Sequence, residues 1–179
     1  MRLKNKSALI TGGTSGIGLA TARIFIAEGA RVAVTGRDET IFERVKAELG
    51  ENALVLKGDV RSINDMQGIA AEIKKKFGGL DAVFANAGRA FPSAINDITE
   101  DLYNDIMDTN VKGVVLTLQA VLPVLRDGAS FILNTSFTAQ TGKHGISLTA
   151  AAKAAVRSLA RSWSYEFLDW KIRFNAIAP

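Results

Sequence analysis

The sequence contains no cysteine and only one histidine, His144. The absence of cysteine excludes disulfide bonds, thiol nucleophiles and cysteine metal sites, and it is compatible with a reducing compartment. The sequence also has no large excess of one charge. Its 22 basic and 18 acidic residues are scattered along the chain and give a net charge of only +4. This small positive charge does not indicate a nucleic-acid partner, although it could favour the binding of an anionic cofactor.

Long apolar segments are missing as well, and no run approaches the length that crosses a bilayer. The only like-charged run, residues 74–76, lies near the end of a predicted helix, where the helix dipole favours lysine. With 179 residues, 47% of them hydrophobic, the chain can bury one substantial core. We therefore expect a single soluble, cytoplasmic domain that has no metal site and does not enter a membrane.

Short apolar runs alternate with longer amphipathic ones along the whole chain. The short runs predict strands over residues 8–11, 31–35, 53–57, 82–85, 130–134 and 173–177. The longer patterns predict helices over residues 17–28, 38–49, 63–77, 100–124 and 150–168. This alternation is typical of parallel βαβ units, so we predict a doubly wound α/β Rossmann fold of about six strands, in the order 3-2-1-4-5-6, with helices on both faces.

A glycine-rich turn, residues 11–18, joins the first predicted strand to the first predicted helix. Such a turn brings backbone N–H groups and the positive end of a helix dipole close to a phosphate. The common G-x-G-x-x-G fingerprint fails, because Thr21 stands where the third glycine would be. The pattern present is T-G-x-x-x-G-x-G, formed by Thr11, Gly12, Gly16 and Gly18. Its position between a strand and a helix favours a dinucleotide site over an ordinary turn.

The end of the second strand indicates which dinucleotide binds. An NAD site usually has an acid here for the ribose hydroxyls, whereas an NADP site uses an arginine for the extra phosphate. This chain has Gly36 in the expected acid position, followed by Arg37, and Asp38 is better placed as the N-cap of the next helix. The alternative is an exposed loop arginine, but the missing acid favours NADP(H) over NAD(H).

Five further motifs follow in order along the chain. They are Asp59-Val60, Asn86-Ala87-Gly88, Asn110 within T-N-V-K-G, Ser136 after I-L-N-T, and Lys153 within A-K-A-A. Together with the glycine turn, they resemble the short-chain dehydrogenase/reductase family over the whole chain. The resemblance implies an NADP(H)-dependent oxidoreductase that interconverts a carbonyl and an alcohol on a small substrate. The cofactor-binding residues it implies are Thr11, Gly12, Thr14, Ser15, Gly16, Ile17, Gly18, Arg37, Asp59, Val60, Asn86, Ala87, Gly88 and Lys153.

The resemblance also implies catalytic roles for Asn110, Ser136 and Lys153. In family enzymes, a tyrosine supplies the proton that accompanies the hydride, and a nearby lysine lowers the pKa of that tyrosine and holds the ribose. The serine hydrogen-bonds the reacting oxygen, and the asparagine orders a water. Here Thr149 stands at the expected tyrosine position, four residues before the lysine, and an aliphatic hydroxyl does not ionise usefully. His144 is either a substitute acid or, as the blander interpretation, a solvated loop residue.

Family members continue past the position of Pro179, so we expect a domain that is C-terminally incomplete, lacks the last family strand and leaves a bare sheet edge. The resemblance further implies a homo-oligomer formed through the helices predicted over residues 100–124 and 150–168. Trp163 and Trp170 can pack either against a partner subunit or in the core. Three functions therefore stay open: an active oxidoreductase, a catalytically impaired dinucleotide-binding scaffold, and a self-association module.

Overall fold

Six parallel strands form the sheet at the centre of the chain, in the order β3-β2-β1-β4-β5-β6. The computed structural model describes residues 1–179. Its strands are β1 (Ser7–Ile10), β2 (Arg31–Gly36), β3 (Ala53–Lys57), β4 (Leu80–Ala85), β5 (Leu125–Asn134) and β6 (Arg173–Ile177). Its α-helices are α1 (Gly16–Ala27), α2 (Phe42–Leu49), α3 (Ile63–Phe77), α4 (Glu100–Met107), α5 (Gly113–Val121) and α6 (Ser147–Glu166). The predicted Rossmann fold and its strand order are confirmed.

Two hydrophobic clusters cover the sheet, because successive side chains of a strand point to opposite faces. Leu9 belongs to the larger cluster, which contains side chains from α3, α5 and α6. Its neighbour Ile10 belongs to the smaller cluster, which contains side chains from α1 and α2. Both residues are fully buried. Strands buried on both faces appear in the sequence as short continuous apolar runs, and those runs are the signal from which the strands were predicted.

Element boundaries differ from the sequence prediction at several places. The helix predicted over residues 100–124 is interrupted by a π-helical turn at Asp108–Lys112 and ends in a 3₁₀ turn at Leu122–Val124. Strand β5 begins at Leu125 rather than at residue 130, and its register against β4 shifts after Leu80. Hydrophobic periodicity does not register a π turn, because the apolar pattern continues across it.

The segment after β2 shows how a capping residue fixes a boundary. Asp38 accepts a hydrogen bond from the backbone N–H of Thr40 at 3.0 Å, which places it at the start of a 3₁₀ turn, Glu39–Ile41. Helix α2 follows only from Phe42. The predicted capping role of Asp38 is confirmed for this turn, and the α-helix itself begins four residues later than expected.

The two tryptophans have different environments. Trp163 is buried and packs edge-on against Phe131, with ring centroids 6.2 Å apart, and against Phe174 at 5.8 Å. Trp170 lies beyond α6 with 51% of its surface exposed. Core packing therefore accounts for Trp163. None of the helices is both long and apolar enough to cross a membrane.

Candidate cofactor and catalytic site

The carboxyl ends of the strands open onto a cleft of about 940 Å³. Loops that follow β1 to β5 line it, together with the N-terminal half of α6. In open parallel sheets this end, where the strand order reverses, is where ligands bind. Most of the predicted site residues line this cleft: Gly12, Thr14, Ser15, Gly16, Ile17, Arg37, Asp59, Val60, Asn86, Ala87, Gly88, Ser136, Thr149 and Lys153.

The glycine turn presents unpaired backbone donors to the cleft. Helix α1 starts at Gly16, and the N–H groups of Gly16 and Ile17, two residues that line the cleft, find no acceptor inside the protein. The side chain of Ser15 at the N-cap makes no capping hydrogen bond, so its hydroxyl is also available. Gly12 and Gly16 have φ values of +62° and +51°, which side-chain-bearing residues rarely adopt. The turn is therefore a helix N-terminus shaped to receive an anionic group.

Two predicted residues support this turn from behind and do not line the cleft. The Thr11 hydroxyl accepts hydrogen bonds from the backbone N–H groups of Asn86 and Ala87, both at 3.0 Å. A Cβ at Gly18 would overlap the carbonyl oxygen of Gly12, so only glycine lets α1 approach the turn this closely. Both residues fix the shape of the cleft wall.

A pair of asparagines ties the turn to the centre of the sheet. The Asn86 amide donates to the carbonyl oxygens of Thr11 and Gly12, at 2.9 and 3.2 Å. Its Oδ1 accepts from Nδ2 of Asn134, the last residue of β5, at 2.9 Å. The loops after β1, β4 and β5 are thus held as one unit. Asn134 was not among the predicted site residues. Its position at the end of a predicted strand was the signal that could have placed it at the site.

Five charged side chains form a network that reaches the cleft at Arg37, Asp59 and Arg89. Arg61 donates to the Asp59 carboxylate through Nε and Nη2, at 2.9 and 2.6 Å, and these bonds hold the pKa of Asp59 below its usual value. Arg37 approaches the same carboxylate at 3.8 Å. Arg61 also forms an ion pair with Asp105 of α4 at 3.2 Å, and Asp105 in turn pairs with Arg89. The second half of this network, formed by Asp105 and Arg89, has no signal in the local sequence, although Arg89 directly follows Asn86-Ala87-Gly88.

Lys153 projects from α6 into the cleft and donates to the carbonyl oxygen of Asn134 at 2.7 Å. Burial lowers the pKa of this ammonium group, because desolvation disfavours the charged form. Gly88 lies beside it: a Cβ there would be 3.3 Å from Lys153 Nζ and 3.1 Å from Asn110 Oδ1. Ser136 follows β5 and lines the cleft nearby.

Asn110 is buried in the π-helical turn and does not line the cleft. Its Oδ1 accepts from the backbone N–H of Arg89 at 2.7 Å, and its Nδ2 donates to the Arg89 carbonyl oxygen at 2.8 Å. This reciprocal pair fixes the backbone of the loop after β4. Single π turns inside helices often occur at functional sites, and here the turn brings Asn110 to that loop.

The position expected for the tyrosine is occupied by a buried threonine. Thr149 lines the cleft, but its Oγ1 is itself buried and has no hydrogen-bond partner within the protein. The two tyrosines, Tyr103 and Tyr165, are exposed and lie outside the cleft. His144 is also exposed and does not line it. The cleft wall therefore contains a lysine and several hydroxyls but no phenol or imidazole.

Comparison with known proteins agrees with this geometry. Residues 6–179 match the profile of the family described as short chain dehydrogenase. The chain is 39% identical to oxidoreductase asL5 of Sarocladium schorii, over 99% of this chain and 72% of that protein. It is 36% identical to galactitol 2-dehydrogenase of Agrobacterium fabrum, over 100% and 71%, and 33% identical to human dehydrogenase/reductase SDR family member 4, over 99% and 66%.

The fold and the site thus define a dinucleotide-binding α/β domain. The chain belongs to the short-chain dehydrogenase family, whose members are oxidoreductases that bind a nicotinamide dinucleotide. The residues present fit such a cofactor, because the unpaired N–H groups at the start of α1 match a diphosphate. The cleft also continues from this turn to Lys153 on α6, which leaves room for an extended molecule.

Proposed function

We propose that this chain is an oxidoreductase that prefers NADP(H) and interconverts a carbonyl and an alcohol on a small substrate. The observation that carries the cofactor preference is Gly36-Arg37 at the cleft end of β2. No acid occupies position 36, and the Arg37 side chain is half exposed, with one long ion pair to Asp59. The nearest acid in sequence, Asp38, accepts two hydrogen bonds from Thr40. An arginine in this setting suits a phosphate better than a ribose hydroxyl.

The remaining cleft residues fit complementary parts of the cofactor. When bound, the nicotinamide supplies or accepts a hydride. The N–H groups at the start of α1 hold the diphosphate, and Asp59 and Val60 border the adenine. Lys153 holds the ribose hydroxyls and places a positive charge near the oxygen on which negative charge develops, while Ser136 donates a hydrogen bond to that oxygen.

The names of several relatives support a hydroxylated small molecule as substrate. They include a galactitol 2-dehydrogenase, a glucose 1-dehydrogenase and a cis-2,3-dihydrobiphenyl-2,3-diol dehydrogenase. Each of these proteins is named as a dehydrogenase of a hydroxylated molecule, and the polar lining of this cleft is compatible with hydroxyl groups. We propose the same broad class here, without a choice among sugars, polyols and diols.

The cofactor preference is tested by titrating the protein with NADPH and NADH while following tryptophan or nicotinamide fluorescence. Arg37→Ala is expected to weaken NADPH binding by at least about tenfold, because a charge-assisted contact is lost, and to change NADH binding by less than twofold. Arg44→Ala removes an exposed arginine of α2 outside the cleft and serves as the matched control. Equal affinities of the parent protein for both cofactors would contradict the proposal.

A second candidate function is a catalytically impaired dinucleotide-binding protein. The observation that favours it is Thr149, which lines the cleft at the position where a phenol is expected. An aliphatic hydroxyl is a much poorer proton donor than a phenol near neutral pH. If the chain is impaired, Thr149→Tyr raises carbonyl reduction by a factor of ten or more with little change in NADPH affinity. Family-like turnover by the parent, with no gain from tyrosine, would reject this candidate.

The last part of the proposal concerns the oligomeric state of the protein and its location in the cell. We propose a homo-oligomer formed through α4, α5 and α6, supported by Tyr103 and Tyr165, which are 48% and 81% exposed on α4 and α6. Size-exclusion chromatography with light scattering tests it. The cytoplasmic location stays a prediction of the sequence.

A further inference from the structure

Thr14, in the glycine turn, and Gly36, at the end of β2, are in unusually close contact. A Cβ built on Gly36 would lie 2.5 Å from Oγ1, 2.8 Å from Cγ2 and 3.2 Å from Cβ of Thr14. Distances below 3.0 Å to both γ atoms mean that no side chain fits at position 36 while threonine keeps this conformation. Thr14 is itself buried, with 7% of its surface exposed.

Neither backbone can move away easily, because hydrogen bonds fix both sides of the contact. The Gly36 carbonyl oxygen accepts from the N–H of Gly58 at 3.0 Å, and Gly36 is in register with Lys57 of β3. On the other side, the N–H of Gly13 donates to the Thr35 carbonyl oxygen at 3.0 Å. The turn and the strand end are therefore held at a fixed separation, and threonine is a short, β-branched side chain with few alternative rotamers.

We propose that Thr14 is a specificity-determining residue for the cofactor: its γ atoms fill the space that the acid of an NAD-selective site would need at position 36. This inference rests on the proposed function of the cleft. Arg37 supplies the positive selection for a 2′-phosphate, and Thr14 prevents the carboxylate that would select a 2′-hydroxyl. Specificity at this site thus depends on an exclusion as well as on an attraction, and a single Gly36→Asp change is not enough to reverse it.

The steric part is tested without any cofactor, by thermal unfolding of a double-mutant cycle. Gly36→Ala is expected to lower Tm by about 5 °C in the parent, because it overpacks against both γ atoms. In a Thr14→Ala background the same change is expected to lower Tm by less than half as much, since only the Cβ contact at 3.2 Å is left. Gly68→Ala is the control: its Cβ would meet nothing within 4 Å, so its effect is independent of residue 14. Additive Tm changes for residues 14 and 36 overturn the proposal.

The specificity part is tested by measuring NADH and NADPH affinities for the parent, Thr14→Ala, Gly36→Asp and the double variant. The double variant is expected to bind NADH at least about tenfold more tightly than Gly36→Asp alone, because only then does the carboxylate reach its hydrogen-bonding position. Equal NADH affinities of Gly36→Asp and the double variant overturn the proposal. If Arg37→Ala does not reduce NADPH affinity but the Tm coupling persists, the NADP assignment fails while the Thr14–Gly36 exclusion stands.

Discussion

Replacing Thr11 with valine removes one hydroxyl from the base of the site and leaves the shape of the side chain almost unchanged. Thr11 is 1% exposed, and its Oγ1 is the acceptor for the backbone N–H groups of Asn86 and Ala87. Each N–H left without an acceptor costs about 1–3 kcal/mol. Because the loop after β4 is half-buried, the lower part of that range applies, and we expect Thr11→Val to destabilise the protein by about 2–3 kcal/mol.

The matched control is Thr117→Val, at a residue that is also 1% exposed. Its hydroxyl donates to the carbonyl oxygen of Gly113 at 2.6 Å, within α5, where that oxygen also accepts the helical hydrogen bond. This change removes a donor and leaves no N–H unpaired, so we expect it to cost less than about 1 kcal/mol.

Urea unfolding monitored by circular dichroism measures both variants, with the free energy of unfolding extrapolated to water. Thr11→Val is also expected to weaken NADPH binding, since the loops that carry Gly12 and Ala87 lose a shared anchor. The reasoning is refuted if Thr11→Val proves at least as stable as Thr117→Val. Both changes remove one buried hydroxyl, but only the Thr11 hydroxyl is an acceptor for backbone N–H groups.

Three further predictions concern glycine packing in the turn, the Asp59 carboxylate and the Asn110 amide. Gly18→Ala overlaps the Gly12 carbonyl oxygen and is expected to cost about 3 kcal/mol in urea unfolding, whereas Gly16→Ala meets no atom within 4 Å and costs only the 1–2 kcal/mol of its positive φ. Hydrogen bonds from Arg61 hold the pKa of Asp59 below its usual value of about 4. The ionised Asp59 carboxylate therefore stabilises the folded protein above that pH, and this contribution is lost as the pH falls through the lowered pKa. Tm is therefore expected to fall less steeply below pH 4 in Asp59→Asn than in the parent. Asn110→Asp places a carboxylate against the Arg89 carbonyl oxygen and is expected to lower Tm at pH 7 and to recover partly below pH 5.

The local part of the candidate site could be predicted from the sequence. Glycines at fixed spacing between a strand and a helix identify a helix N-terminus, because few other arrangements need that backbone freedom. Asn86, which follows a strand, and Lys153, which lies on a helix, were predicted through the family resemblance, and the structure brings both to one cleft. Parallel strands that all end at one edge make this convergence a consequence of the fold class.

Contacts between distant segments could not be predicted in this way. The ion-pair network that joins Arg61, Asp105 and Arg89 links residues up to 44 positions apart, and nothing in their local sequence indicates a partner. The interruption of the long helix at Asp108–Lys112 was also missed, because its hydrophobic pattern continues through the turn. The burial of Thr149 with no hydrogen-bond partner is likewise a property of the assembled cleft.

The sequence by itself determined the doubly wound sheet, the glycine-rich turn before the first helix, the absence of an acid at position 36 and the threonine at position 149. These features depend on residue identity and on periodicity, both of which are local. Only the tertiary structure decided that Thr14 fills the space beside Gly36, and that Thr11, Gly18 and Asn110 support the cleft wall from behind. Such contacts depend on how closely separate loops approach one another, and close packing in three dimensions sets that distance.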